Sequence, residues 1–433
     1  MERETKKRSS KMILEVNEKP TVPKWIILAL QHVFAMFGAT VLVPILVNEA
    51  AGAEVLTIPV ALFASGLGTL IYLLSTKGKS PVYLGGSFAF IVPVALAYQT
   101  GGIAAAFTGI MIIGIVYMFL AFIIKKIGKK WIDKLLPPIV IGPMIMIIGL
   151  GLAPAAVNQI GLTGEITNWD GIIVALVAFI TTGIFSIRGR GFLKIIPVLM
   201  GIISGYVVAL MLGMVDFTPV TEAAWFGMPV FKIPFIDYDP SFVALLTIVP
   251  IGVVTLAEHI SEHAVLGNII DKDLLKDPGL DRTIFGDGAA TFISGLLGNS
   301  DTTTYGENVS VVGMTKVASV WVIGLAGIFA IVLAFFTKFT VLISTIPTPV
   351  LGGISIILFG FIACNGIRVL VQNNIDFGNM RNVVIAATML VLGLGGALIT
   401  IVSKDATISI SSMSLAAIVG VILNLILPTE KEE

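Results

Sequence analysis

Two short stretches hold the residues able to do chemistry. Ala257-Glu258-His259-Ile260-Ser261-Glu262-His263 sets two carboxylates and two imidazoles within two helical turns, and Thr304-Tyr305-Gly306-Glu307-Asn308 adds a third carboxylate beside a glycine and an amide. Glu258 and Glu262 are four residues apart and share one helical face, and His259 and His263 share another. Two carboxylates close together in a dry site cannot both stay ionised, so such a pair can take up and release a proton. Glu258 and Glu307 supply acceptors for N–H groups. Helices that start after Gly86 and Gly306 would aim free amides into the same space as donors for carbonyl oxygens. That mixture suits a flat heterocycle with alternating N–H and C=O groups, on which Phe88 could stack. The plainer alternatives are a helix cap or interhelical hydrogen bond for Glu307 and core packing for Phe88.

A second chemistry competes for the same residues. His259-Ile260-Ser261-Glu262-His263 matches the H-x-x-E-H pattern of inverted zinc peptidases. A third ligand would be required. The only other histidine is His32, far away in the first span, so Glu307 would have to serve. The two readings use different helix faces, Glu258/Glu262 for transport and His259/His263 for zinc. Transport is the reading adopted, with no resident metal or cofactor and the proton as coupling ion. Asn308-Val309-Ser310 is formally a glycosylation sequon, but it sits in an apolar span. No Gly-x-x-x-x-Gly-Lys loop is present to suggest direct ATP drive.

The elements that must position these groups are membrane helices. The chain is 56% hydrophobic and only 12% charged, with a mean hydropathy of +0.99, which excludes an ordinary soluble surface. Its apolar runs are continuous rather than alternating, which favours helices over a β-barrel. Spans are expected near 25–48, 56–75, 82–98, 101–124, 137–153, 170–187, 195–215, 242–263, 283–298, 304–316, 317–336, 339–363, 382–402 and 408–427, about fourteen in all. Lys and Arg cluster in the N-terminal tail (Arg3, Lys6, Lys7, Arg8, Lys11), at Lys77 and Lys79, at Lys125-Lys126 with Lys129-Lys130, and at Arg188, Arg190 and Lys194. The loops between them, Glu49–Glu54, Glu165–Asp170 and Asp216–Asp239, are acidic. Basic loops mark the cytoplasmic side, so both termini are expected there. These basic loops read as topology signals rather than nucleic-acid sites. The tail runs into the first span with no small-residue cleavage site, which argues against a removable signal peptide. The single cysteine, Cys364, excludes an intramolecular disulfide and reads as a buried, inert thiol.

The halves of the chain resemble each other. Pro138, Gly142 and Gly149 match Pro349, Gly353 and Gly360 at one shared offset, and Tyr83–Phe88 has a counterpart in Thr304–Asn308. Seven spans per half, an odd number, would make the repeats inverted. Inverted repeats with helices broken at matching places point to a secondary transporter whose site lies at the midplane. Non-helical backbone at that depth is tolerated only where it lines a cavity or is buried in protein.

At these residues the chain resembles the nucleobase–ascorbate transporter family, closest to its bacterial uracil permease branch. The resemblance runs from Leu30-Gln31-His32 through Tyr83–Phe88, Ala257-Glu258-His259 and Tyr305–Asn308 to Ile346–Val350 and Gly366-Ile367-Arg368. The family signature, Gln/Glu/Pro then Asn-x-Gly and, after four intervening residues, a Thr, reads here Glu307-Asn308-Val309-Ser310 and Thr315. The resemblance implies an all-α polytopic protein of two inverted seven-span repeats, with short β-strands breaking spans 3 and 10. It implies a cytoplasmic tail (1–24), core segments (25–130 and 241–338) and gate segments (131–240 and 339–433). It also implies a proton-coupled symporter, not an enzyme, that imports a nucleobase across the cytoplasmic membrane as a possible homodimer. Uracil is the favoured substrate, and a purine such as xanthine, urate or guanine is the alternative. Glu258, Glu307, Phe88, Gly306 and Tyr305 would bind substrate, Glu307 and Glu262 would carry the proton, and Asn308, His259 and Phe359 would support them. Three positions depart from the family pattern: Glu262 replaces a histidine, Phe359 a tyrosine and Ser310 the signature glycine.

Overall fold

The computed structural model describes residues 12–163, 168–402 and 407–428. The basic cluster from Arg3 to Lys11, Glu165 of the second acidic loop and the last residues of the final segment lie outside the described residues. Among the described residues, thirteen helices of ten residues or more carry the fold. They are α1 (Val22–Ala51), α2 (Ile58–Ser75), α3 (Ile91–Ile127), α4 (Pro138–Gly151), α5 (Trp169–Arg188), α6 (Pro197–Met211), α7 (Gly252–Ile270), α8 (Leu280–Leu296), α9 (Gly306–Thr315), α10 (Val320–Ala334), α11 (Thr348–Gln372), α12 (Met380–Leu394) and α13 (Ser412–Ile426). Proline sits in the first turn of α1, α2, α4, α6 and α11, where its missing N–H has no intrahelical acceptor to lose.

Among the described residues, seven helices are long and apolar enough to cross a bilayer, or eight if a bent pair counts as one span. The fourteen expected runs therefore do not all become long helices. The expected spans at 82–98 and 101–124 merge into α3, which breaks at Gly101 and Gly102; Gly102 holds φ at 65°. The expected span at 339–363 is divided: Thr337–Ser344 bends 83° away from α10, and α11 begins afresh at Thr348. Pro347 and Pro349 explain the restart, since proline interrupts a helix but suits its first turn.

One departure concerns fold class. The expected span 382–402 ends its helix at Leu394, and Ile399–Val402 (β3) pairs antiparallel with Thr407–Ile410 (β4). The chain is thus mostly helical rather than wholly so. The β-branched run Ile399-Thr400-Ile401-Val402 favours an extended backbone.

Two further strands lie in the interior. Leu84–Gly85 (β1) pairs antiparallel with Thr303–Thr304 (β2), Leu84 opposite Thr304 and Gly85 opposite Thr303. Neighbouring helices complete their hydrogen bonding. From α2, Thr69 Oγ1 accepts from Leu84 N–H at 2.9 Å and Ser65 Oγ donates to Leu84 O at 2.6 Å. From α8, Thr291 Oγ1 accepts from Thr302 N–H at 3.2 Å and donates to Thr302 O at 2.9 Å. These contacts satisfy polar backbone that has no helical partner.

Around this centre α3 packs on α8, α2 on α10, α4 on α11, α5 on α6 and α12 on α13. The segment before α1 lies along the α9–α10 connection. Leu14 pairs with Val317, Ile13 N–H donates to Lys316 O at 2.7 Å, and Val320 N–H donates to Val16 O at 2.9 Å. Val16 is buried beneath it.

Candidate binding site between the paired strands and α7

Each inner strand feeds a helix. After β1, Ser87 caps a 3-10 turn at Phe88–Phe90 that runs into α3, its Oγ accepting from Ala89 N–H at 3.2 Å. After β2, Tyr305 precedes α9, whose first residues are Gly306 and Glu307. Both helices therefore begin at the strand pair, with first-turn amides that have no intrahelical acceptor.

These starts border a cavity of about 380 Å³, within the usual range of small-molecule sites, roughly 300–1,000 Å³. Glu258, Glu262, Glu307, Phe88, Tyr305 and Gly306 all line it, so every expected substrate or proton residue comes to one place. Ser87 Oγ donates to Glu258 Oε2 at 3.1 Å, which fixes one carboxylate oxygen. Gly306 lies against Glu262: a β-carbon there would stand 2.8 Å from Oε1. The Tyr305 hydroxyl accepts from Thr40 Oγ1 at 3.2 Å. Its ring presses on Gly85, where a β-carbon would overlap it.

The supporting residues stand behind the cavity wall. The Phe359 ring meets Phe88 edge-on, with centroids 5.7 Å apart at 77°. Asn308 Nδ2 donates to His32 O and approaches His32 Nδ1, each at 3.1 Å. His32, remote in sequence, is therefore a neighbour of the α9 start.

His259 Nδ1 pairs with Asp287 Oδ2 at 2.7 Å, both groups buried. His263 Nδ1 donates to His259 O at 2.7 Å, and its Nε2 meets the Tyr72 hydroxyl at 2.5 Å. Both nitrogens of His263 are thus engaged, which leaves no lone pair for zinc. Among the described residues no group of three metal-ligating side chains converges. The imidazoles and the Glu258/Glu262 pair occupy different faces of α7, about 100° apart around its axis.

Several contributors were not singled out from the sequence. Lys194 and Arg368 line the same cavity and add positive charge to a site with three carboxylates. Lys194 belongs to a basic loop read only as a topology signal, and Arg368 to a segment quoted only for family resemblance. Cys364 is exposed and lines the cavity, so the expectation of a buried thiol is corrected. Its apolar neighbours Phe361 and Ile362 line the same cavity, which is why an apolar run did not mean burial here. Ser310 also borders the cavity. A second cavity, about 210 Å³ between α4 and the α12–α13 region, has no titratable side chain in its lining.

The sequence profile described as the permease family matches residues 23–402. The uracil permease of Bacillus caldolyticus is 49% identical over 97% of this chain and 95% of its own length. That of Bacillus subtilis (strain 168) is 47% identical over 98% and 97%, and that of Escherichia coli (strain K12) 42% over 95% and 93%. Among solved structures, the murine Slc26a9 anion transporter in the inward-facing state gives a TM-score of 0.68 at 13% identity, covering 94% of this chain and 68% of that one. The transmembrane domain of the cyanobacterial bicarbonate transporter BicA gives 0.56 at 16%, covering 91% and 97%. Identities this low speak to the fold alone.

Proposed function

This chain belongs to the permease family, and on that premise we propose that it is a proton-coupled symporter importing uracil across the cytoplasmic membrane by alternating access. It is a multi-pass membrane protein with a small-molecule substrate, and its relatives are named as permeases rather than enzymes. The observation that carries the proposal is the convergence of Glu258, Glu307, Phe88 and the α9 start on one cavity, in a chain nearly half identical to uracil permeases along its length.

In this reading uracil stacks on Phe88. Its N–H groups donate to Glu258 and Glu307, and its carbonyl oxygens accept from the amides of Phe88 and Gly306, with Tyr305 closing one side. Glu307 and Glu262 take up and release the proton as the cavity opens to each side of the membrane. Asn308, His259 and Phe359 hold these groups in position. Glu262, lying against Gly306, supports a link between the coupling carboxylate and the amide that meets substrate.

The finer architecture belongs to the same proposal. Counting α3 as two spans, split at Gly101–Gly102, makes fourteen spans in two inverted repeats. Reciprocal packing supports this: α3 on α8 is mirrored by α10 on α2, and Thr69 serves β1 as Thr291 serves the residue before β2. Residues 25–130 and 241–338 would form the core, with 131–240 and 339–433 as the gate. Both termini would face the cytoplasm, and the protein would act as a homodimer.

The test is uptake of radiolabelled uracil into proteoliposomes, with and without an inward proton gradient, competed by unlabelled xanthine. Gradient-stimulated uptake that ignores xanthine is expected. Competition by xanthine would move the assignment to a purine, and uptake indifferent to the gradient would remove proton coupling.

A further inference from the structure

Asp301 is a buried carboxylate that the mechanism above does not use. It lies just before β2, is only 2% exposed, and is bonded to no cation among the described residues. Its Oδ1 accepts from Ser87 N–H at 3.3 Å and from Ser300 Oγ at 3.0 Å. Burying a carboxylate with only neutral donors is unfavourable, so the bonds it does make are informative. Charged groups at this depth persist mainly where function needs them.

The partner is the telling part. Ser87 is the residue that joins β1 to the turn beginning at Phe88, and its hydroxyl donates to Glu258 Oε2. Its Oγ also accepts from Ala89 N–H. One serine therefore connects three things: the Asp301 carboxylate through its amide, the Glu258 carboxylate through its hydroxyl, and the start of α3. Asp301 belongs to the other half of the site, two residues ahead of β2 and five ahead of Gly306. The chain Asp301–Ser87–Glu258 thus spans both strand-to-helix turns.

We propose that Asp301 is a positioning residue for substrate recognition: it fixes Ser87, and Ser87 fixes the rotamer of Glu258 so that one of its oxygens stays free to face the cavity. This deepens the reading of the site given above and rests on it. The role needs an oxygen acceptor at the Asp301 position rather than a charge. Asparagine, which keeps a carbonyl oxygen of the same reach, therefore fulfils it, and alanine does not.

The test uses the full-length protein carrying Asp301→Ala, Asp301→Asn, Ser87→Ala and the Ala–Ala double substitution. Uracil affinity is measured by calorimetry, and the Glu258 carboxyl stretch is identified in the infrared as the band lost in Glu258→Gln. Asp301→Ala should weaken affinity roughly tenfold, the loss of one buried hydrogen-bond link, and Asp301→Asn should restore most of it. The double variant should be no weaker than the weaker single, as expected for residues in one chain. Additive losses, or an asparagine variant as weak as the alanine one, would overturn the proposal. The infrared arm needs no substrate. Asp301→Ala must move the Glu258 band as Ser87→Ala does, and an unmoved band overturns the proposal whether or not uracil binds. Absence of uracil binding by the wild-type protein would instead remove uracil as the substrate, and the band shift would still decide the role of Asp301. If Asp301→Ala fails to fold, the contrast of Asp301→Asn, near wild-type, with Ser87→Ala, weakened, decides the point.

Discussion

The Tyr305 ring lies so close to Gly85 that a side chain at that glycine would overlap it. These two residues come from opposite ends of the sequence pattern, one closing β1 and the other leading into α9. Their contact sets the distance between the two helix starts that border the cavity.

Gly85→Ala should therefore push Tyr305 aside. Overpacking of this kind destabilises by about 1–3 kcal/mol. The expected result is a lower melting temperature together with weaker uracil binding. Replacing Tyr305 by leucine in the same chain should recover stability but not affinity. A Gly85→Ala protein with unchanged melting and affinity would show that the contact does not set the site's spacing.

Gly306→Ala should act on Glu262 rather than on the fold. Its new methyl group would meet the Glu262 carboxylate, a flexible side chain that can swing away. Gradient-driven accumulation of uracil should fall more than exchange of uracil across the membrane at equal pH. Equal losses in the two assays would separate Glu262 from coupling.

Glu258→Ala should abolish binding, because it leaves a desolvated N–H donor on the substrate without an acceptor, a penalty of about 1–3 kcal/mol or more. Glu307→Gln keeps an oxygen acceptor but cannot titrate. It should retain exchange while losing accumulation driven by a proton gradient, and the wild-type advantage of acidic external pH should vanish. Normal proton-driven uptake by Glu307→Gln would refute its coupling role.

Asp287→Ala removes the buried partner of His259. Leaving the buried imidazole N–H without its acceptor costs about 1–3 kcal/mol, so thermal stability should drop. Asp287→Asn should fall between this variant and wild type. Chelators should leave uracil uptake unchanged, because His263 has both nitrogens occupied. Loss of activity to a chelator, restored by zinc, would revive the metal reading.

Much of the site was legible because membrane burial makes every polar residue conspicuous. Glu258, Glu262 and Glu307 stood out against apolar runs, and Gly85, Gly86 and Gly306 marked where helices had to start late. Asp301 was less visible, since it sits in a polar stretch, Asn299–Thr304, where one carboxylate does not stand out among neighbours that bond one another and nearby side chains. Arg368 and Lys194 reach the cavity only through tertiary packing. The β3–β4 hairpin hid inside an apolar run, where hydropathy alone does not separate strand from helix. The Ile-Thr-Ile-Val alternation at 399–402 was the available signal.

The segment from Ile13 to Val16, hydrogen-bonded along the chain just beyond α9, has a practical consequence. This stretch lies against the far end of the helix that carries Glu307. A fluorophore on Ile13 sits beside the end of that helix and outside the cavity lining, so any change there on adding uracil reads the helix without touching the site. A bulky group at Ile13 would crowd the connection between α9 and α10.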